Sequence, residues 1–346
     1  MDRAGQLLKE ARTLAPASDF VLNTYVLWLH TVGRCPEAIE LAKQALQTDP
    51  HRMRVWTGIY NELAMCKVWT GDPEQALALQ AEADRLNPFS PWKFFRYHQM
   101  GKASLLLGRE QDAISLLERA IAMNPNDQWA HRWLTVAYAL VGRIDEAKGC
   151  LAKADRLWPY DTIRGFGAGG RSNAYAVQIA HFKEVLRLAG ERDHADANAD
   201  FGVPPDRALH SEVAGHTPMS APGASTIRTR ELAGMIAESE PMIIDAATTS
   251  SGQSITGAIG LTFAGLGGTY TDEAQDRLRG KMRELTSGDL NRPIVAVGWN
   301  SERFDGRNLA LRLAALGYTH VYWYRGGREA WEVNGLPETK LDVQEW

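Results

Sequence analysis

The 346-residue chain is 45% apolar and 23% charged with a formal net charge of −4, the balance of an ordinary soluble protein of about two domains. That charge is too mild to draw phosphate backbones or anionic lipid, which excludes nucleic acid as an expected partner. No apolar run approaches the roughly 18 residues of a membrane span, the opening MDRAGQLLKEARTLAP lacks the apolar segment of a signal peptide, and Cys35, Cys66 and Cys150 are too widely spaced for a metal pattern, so the expectation is a cytoplasmic protein with no metal and no cofactor.

The first half repeats. Alanine, six residues, alanine, four residues, proline recurs as Ala4/Ala11/Pro16, Ala38/Ala45/Pro50, Ala76/Ala83/Pro88, Ala113/Ala120/Pro125 and Ala147/Ala154/Pro159, spaced by 34, 38, 37 and 34 residues. Seven residues are close to two helical turns, so the paired alanines share a face on which a neighbouring helix can approach closely. Gly33, Gly71, Gly108 and Gly142 stand five residues ahead of four of these copies and predict the tight turn before each helix; the proline closes it. Trp129, Trp133, Ala137 and Tyr138, like Trp56, Tyr60, Leu63 and Ala64, fall at helical spacing ahead of the glycines. These hairpins resemble tetratricopeptide repeats, which implies an all-α superhelix over 1–190 with a groove for a protein or peptide partner. The first copy supplies only its second helix, which suggests a chain cut short or a partner covering that end.

After Pro159 the glycine-rich stretch 165–173 reads as a plain loop, without the Gly-Lys-Ser/Thr ending of a phosphate cradle. Residues 174–188 form an amphipathic segment read as the capping helix a repeat stack needs. Residues 191–225, rich in Asp, Pro, Gly and His, read as a linker. Asp196, Asn198 and Asp200 alternate as in a calcium loop, but Phe201 and Arg207 stand where such a loop needs Gly and Glu. His194, His210 and His216 read as solvated linker residues.

From 226 onward, helices are predicted after Thr229, over 272–285 and over 306–316, and strands over 242–245, 293–297 and 320–324. This alternation implies an α/β fold with a mostly parallel sheet and helices on both faces, whose ligands would sit beyond the carboxyl ends of the strands. The glycines of 265–268 read as a turn. PMIIDA (241–246), SITGAIGL (254–261), IVAV (294–297), NLALRLAALGY (308–318) and VYWYRGGREAWEVNGLP (321–337) resemble a rhodanese-like domain across 226–346, nearest to its CxxCW-type group. That resemblance implies a nucleophilic cysteine directly after the central strand, where this chain has Gly298; the second cysteine of the pattern would fall near Arg303. No cysteine follows Cys150, so no persulfide can form within this domain. The 298–305 loop then reads either as purely structural or as an oxyanion site made by Gly298, Asn300, Ser301 and Arg303 with the amides before the 306–316 helix. The resemblance gives Asp245 a structural role, organising nearby loops.

The arrangement of repeats, linker and cysteine-free domain, carried by 87–109 and by the ending from Val297 to Glu332, is also similar to the C-terminal half of bacterial class III adenylate/guanylate cyclase proteins, which implies a signalling association without the cyclase domain itself. The expected function is therefore a non-catalytic interaction or scaffold protein, a rhodanese-like pseudoenzyme; the alternative is a sulfurtransferase or phosphatase-like enzyme on the same fold.

Overall fold

A computed structural model describes residues 3–48, 58–167, 172–247 and 253–346. The chain divides into two units, Met1–Asp193 and His194–Trp346. Pro50, Trp56 and the middle of the glycine-rich stretch, 168–171, lie outside the described residues.

The first unit is helical: α1 (Arg3–Leu14), α2 (Asp19–Thr31), α3 (Cys35–Thr48), α4 (Gly58–Trp69), α5 (Pro73–Leu86), α6 (Lys93–Leu106), α7 (Glu110–Met123), α8 (Gln128–Leu140), α9 (Ile144–Leu157) and α10 (Asn173–Ala189). The four expected turn glycines all have left-handed backbones, φ 68° to 87°. After each, the next amide reaches back five residues: Arg34 to the Leu29 carbonyl at 2.7 Å, Asp72 to Lys67 at 2.8 Å, Arg109 to Ser104 and Arg143 to Tyr138 at 2.9 Å. This is the closure that ends a helix and satisfies its last carbonyls. Hairpins α2–α3, α4–α5, α6–α7 and α8–α9 follow. Ala38, Ala76, Ala83, Ala113, Ala120, Ala147 and Ala154 are buried where helices meet.

The first copy departs from the pattern. Ala4 is exposed, and Gly5 is the residue under the Trp28 ring, where a Cβ would lie 2.3 Å from the indole. The indole claims the close approach that alanines make elsewhere.

Helix α10 is not a simple end cap. Its N-terminus is capped by Ser172, whose Oγ accepts the Tyr175 amide at 3.2 Å, and it ends on left-handed Gly190. Tyr175, Ile179, Phe182, Val185, Leu186 and Ala189 form its buried stripe. That stripe packs on α8 and α9, and the N-terminal end of the helix reaches α6 and α4. Phe182 meets Trp133 of α8 edge-on at 6.2 Å, the Tyr175 ring lies 5.7 Å from Lys102 Nζ of α6, and the Ser172 amide donates to the Trp69 carbonyl at the end of α4, 3.2 Å away.

The second unit holds β1 (Ser225–Ile227), α11 (Thr229–Ser239), β2 (Met242–Asp245), β3 (Gln253–Ile255), β4 (Ile259–Gly260), α12 (Glu273–Leu285), β5 (Ile294–Val297), α13 (Asp305–Ala315), β6 (Val321–Tyr324), α14 (Gly327–Val333), β7 (Glu338–Lys340) and β8 (Asp342–Val343). Six strands form a parallel sheet in the order β1-β6-β5-β2-β4-β8, and β3 pairs antiparallel with β7. Successive residues of a strand face opposite ways. Ile244, Ala296 and Trp323 pack with Leu278 and Met282 of α12 and Leu309 and Leu313 of α13. Ile243, Val295, Val297 and Tyr324 pack with Leu232 of α11 and Trp331 of α14. Both faces are covered, which is why the central strands carry unbroken apolar runs.

The linker reading of 191–225 is corrected. From His194 onward the segment is packed into the second unit. Its backbone is held by distant side chains: Glu329 accepts the Ala195 amide at 2.9 Å, Arg325 donates to the Ala197, Thr217 and Pro218 carbonyls, and Arg307 donates to the Asp206 and Ala208 carbonyls. His210 stacks on Phe304 at 4.1 Å and is half-buried, while His194 and His216 are exposed, the latter with one face on Phe201 at 4.0 Å. Asp196 and Asp200 close local turns on the Asn198 and Gly202 amides at 2.8 and 2.9 Å.

Candidate functional site

The carboxyl end of the central strand β5 opens into residues 298–304, which lead into α13. The structure brings Gly298, Asn300, Ser301 and Arg303 into one loop, but each is engaged inward. Asn300 donates to Glu329 Oε2 at 3.0 Å and accepts the Glu302 amide at 3.0 Å. The Ser301 hydroxyl, fully buried, donates to the Asp196 carbonyl at 3.0 Å, and its own carbonyl accepts from the Thr217 hydroxyl at 2.6 Å. Arg303 Nε lies 3.3 Å from Asp305 Oδ2.

Asp305 organises the loop. Its carboxylate is buried at the start of α13, where the helix end favours a negative charge. Oδ1 accepts the amides of Trp299 at 3.2 Å and Gly306 at 2.9 Å. Burial pushes its carboxyl above the usual range, opposed by Arg303 and those two amides. The amides that would greet an external oxyanion thus already hold an internal one.

The glycines around Asp305 follow from this crowding. A Cβ on Gly298 would lie 2.1 Å from Asp305 Oδ1 and 2.5 Å from the Gly306 nitrogen. One on Gly265 would fall 2.0 Å from the Asp305 carbonyl oxygen. A Cβ on Gly327, at φ 61°, would lie 2.6 Å and 2.5 Å from the Gly298 and Trp299 carbonyl oxygens. The turn expected over 265–268 lies instead over 262–265; Gly268 pairs with Leu209 in an antiparallel bridge, and Gly265 lets two backbones touch.

Asp245, at the end of β2, is fully buried. Oδ1 accepts the Ala247 amide at 2.9 Å; Oδ2 accepts the Ser254 hydroxyl at 2.5 Å and a short ion pair from Arg328. It ties β2, β3 and the start of α14 together. Sequence reading missed Asp305 and the buried arginines 307, 312, 325 and 328. Arg312 alone reaches the Leu266, Gly267 and Thr269 carbonyls together with Asp272 and Gln275. The usable signal, for Arg307 and Arg312 alone, was arginines set within an otherwise apolar helix, RFDGRNLALRL.

In the first unit the face covered by α10 holds a different kind of group. Lys102 is buried, and its Nζ lies over the rings of Trp133 at 5.2 Å and Tyr175 at 5.7 Å. Burial pushes the ammonium down to about 8, with no neighbouring charge opposing it. The Tyr175 hydroxyl is likewise buried without a hydrogen-bond partner among the described residues. Among the described residues no cluster of three His, Cys, Asp or Glu is placed to hold a metal, and no helix is long and apolar enough to cross a membrane.

A tetratricopeptide-repeat family model matches residues 104–157, and a rhodanese-like domain model matches residues 229–334. No curated protein matches the chain. Among solved structures the chain is similar to TTC0263, a thermophilic TPR protein of Thermus thermophilus, with 23% identity over 53% of this chain and 89% of that one and a TM-score of 0.40. It is also similar to YrrB, described as a TPR protein with an unusual peptide-binding site, with 18% identity over 54% and 91% and a TM-score of 0.37. A third similar structure is MamA, with 23% identity over 46% and 91% and a TM-score of 0.34. The chain thus joins a helical tetratricopeptide-repeat region to a rhodanese-like α/β domain with a parallel sheet.

Proposed function

We propose that this chain is a non-catalytic interaction protein, in which the repeats hold a protein or peptide segment and the rhodanese-like unit serves as a docking or sensing module. The observation that carries the reading is the lack of room at Gly298, beside the Asp305 carboxylate. Sulfur transfer on this fold needs a thiolate after the central strand, stabilised by surrounding amides. Here a side chain at that position meets Asp305, and the Trp299 and Gly306 amides are already bound to it. Ser301 is no substitute nucleophile, since its hydroxyl donates to a backbone carbonyl rather than to a base. A partner held on the repeats would also suit a signalling assembly of the cyclase-associated kind.

The test is catalytic. The full chain is assayed for sulfur transfer from thiosulfate to cyanide and for hydrolysis of p-nitrophenyl phosphate. No turnover above a heat-inactivated sample is expected in either assay; saturable turnover in one of them overturns the non-catalytic reading. The interaction half is tested by titrating labelled helical peptides into the full chain.

A further inference from the structure

The stripe of α10 covers parts of the repeat face that a partner would otherwise touch, and it does so unevenly. Its C-terminal end is well anchored. Glu191, just beyond the helix, pairs with buried Arg132 at 2.7 Å, the Arg192 carbonyl accepts the Ile163 amide at 2.9 Å, and Arg192 Nε donates to the Asp161 carbonyl at 3.0 Å. Phe182 adds its contact with Trp133. Among the described residues the N-terminal end is held by the backbone bond from Ser172 to Trp69, by the packing of Ser172 against Gly71 and by Tyr175. There the fit is poor. Among the described residues Tyr175 leaves its own hydroxyl unbonded, and the Lys102 ammonium meets aromatic faces, with no ion pair to a carboxylate among those residues. A buried cation without a counter-charge is a standing cost, and cation–π contacts offset only part of it.

We propose that α10 is a built-in occupant of this face, and that the partner whose place it holds is an amphipathic helix bearing a carboxylate where α10 bears Tyr175. This rests on the reading of the repeats as a partner-binding face. Such a helix reproduces the apolar contact of Ile179 and adds an ion pair with Lys102 in a water-poor site. It displaces the N-terminal half of α10, which parts from the anchored half ahead of Phe182. A second copy of this chain is a poorer occupant, because its α10 brings the same tyrosine to Lys102.

The experiment uses the full chain and two labelled peptides of residues 172–190, one native and one carrying Tyr175→Glu. The Tyr175→Glu peptide is expected to bind at least about tenfold more tightly, the lower end for a close buried charge pair across an interface. In a Lys102→Met chain the two peptides bind equally. On binding, amide hydrogen exchange rises in 173–180 while 182–189 stays protected. Equal affinities for the wild-type chain, or binding that leaves 173–180 protected, overturns the proposal. A Phe182→Asp chain, with Phe182→Ala in reserve if that variant fails to fold, opens the face independently of Lys102. Binding of both peptides alike by the opened chain leaves the interaction reading standing while removing the carboxylate argument. No micromolar binding by the wild-type or the opened chain refutes the interaction reading and the proposal with it.

Discussion

Replacing Gly298 with alanine puts a methyl carbon 2.1 Å from Asp305 Oδ1 and 2.5 Å from the Gly306 nitrogen. The nitrogen belongs to the first turn of α13 and cannot retreat alone. The Asp305 backbone cannot shift toward Gly265, because the two backbones already meet there with no room for even a Cβ between them. The carboxylate must therefore rotate away, which strips the Trp299 and Gly306 amides of their acceptor. Overpacking costs about 1–3 kcal/mol, and each buried amide left without an acceptor adds about 1–3 kcal/mol. The lower parts of those ranges give roughly 4 kcal/mol, which lowers the melting temperature of a unit this size by about 8–16 °C. Calorimetry of the full chain, with hydrogen exchange in 294–297 to assign the transition, measures the loss. Adding Asp305→Gly to Gly298→Ala removes the clashing carboxylate and should recover part of it, so that the two changes are not additive. A Gly298→Ala chain within about 0.5 kcal/mol of wild type, inside the ordinary range for surface changes, would show that the loop yields freely. The steric exclusion of a thiol at 298 would then have to be abandoned.

Asp245→Asn keeps the shape of the side chain but leaves buried Arg328 without its counter-charge; the expected loss is about 3–5 kcal/mol, read from the urea midpoint, and Arg328→Met in the same chain should restore part of it. Arg132 faces three carboxylates, Glu191, Asp155 and Asp161, and burial pushes Glu191 up to about 7. A raised folded pKa means that this group's contribution is fully present below pH 4.5 and is lost as pH rises through 7; the melting temperature of the repeat unit should fall across that window, and Glu191→Gln should flatten the slope. Gly101→Ala drives a Cβ to 2.5 Å from Leu117 Cγ, so overpacking of about 1–3 kcal/mol outweighs the gain of about 1 kcal/mol in helix propensity. Gly149→Ala, with nothing within 4 Å of the added carbon, should stabilise by about 0.5–1 kcal/mol, and thermal melts of the two variants should move in opposite directions.

The repeats were legible because they are local. Gly33, Gly71, Gly108 and Gly142 each specify a turn within a few residues, and the buried alanines follow from helical period alone. The central strands were legible for the same reason, being short unbroken apolar runs. What escaped is long-range. The amphipathic pattern of 174–188 predicted a helix with one buried face, but period does not say which surface that face meets, so its course across α4, α6, α8 and α9 was unreadable. Residues 194–224 show no period because backbone carbonyls hold them, and their donors, Arg307 and Arg325, lie about a hundred residues away in sequence. At the 298–305 loop the absent cysteine was plain, and the four residues expected to cradle an anion do share the loop. Their inward bonds were hidden because the anion they enclose, Asp305, reads in the sequence as an unremarked acid in a helix's first turn.

The grip of Arg307 and Arg325 on the 194–218 backbone decides where this protein can be divided. A fragment starting at residue 226, the boundary that sequence pattern alone suggests, would leave two guanidinium groups at 0% and 3% exposure facing the hollow where their carbonyl acceptors had been. It would also bare Phe304, whose ring lies under His210. Such a fragment should be recovered as aggregate, whereas one beginning at His194 keeps every one of these acceptors.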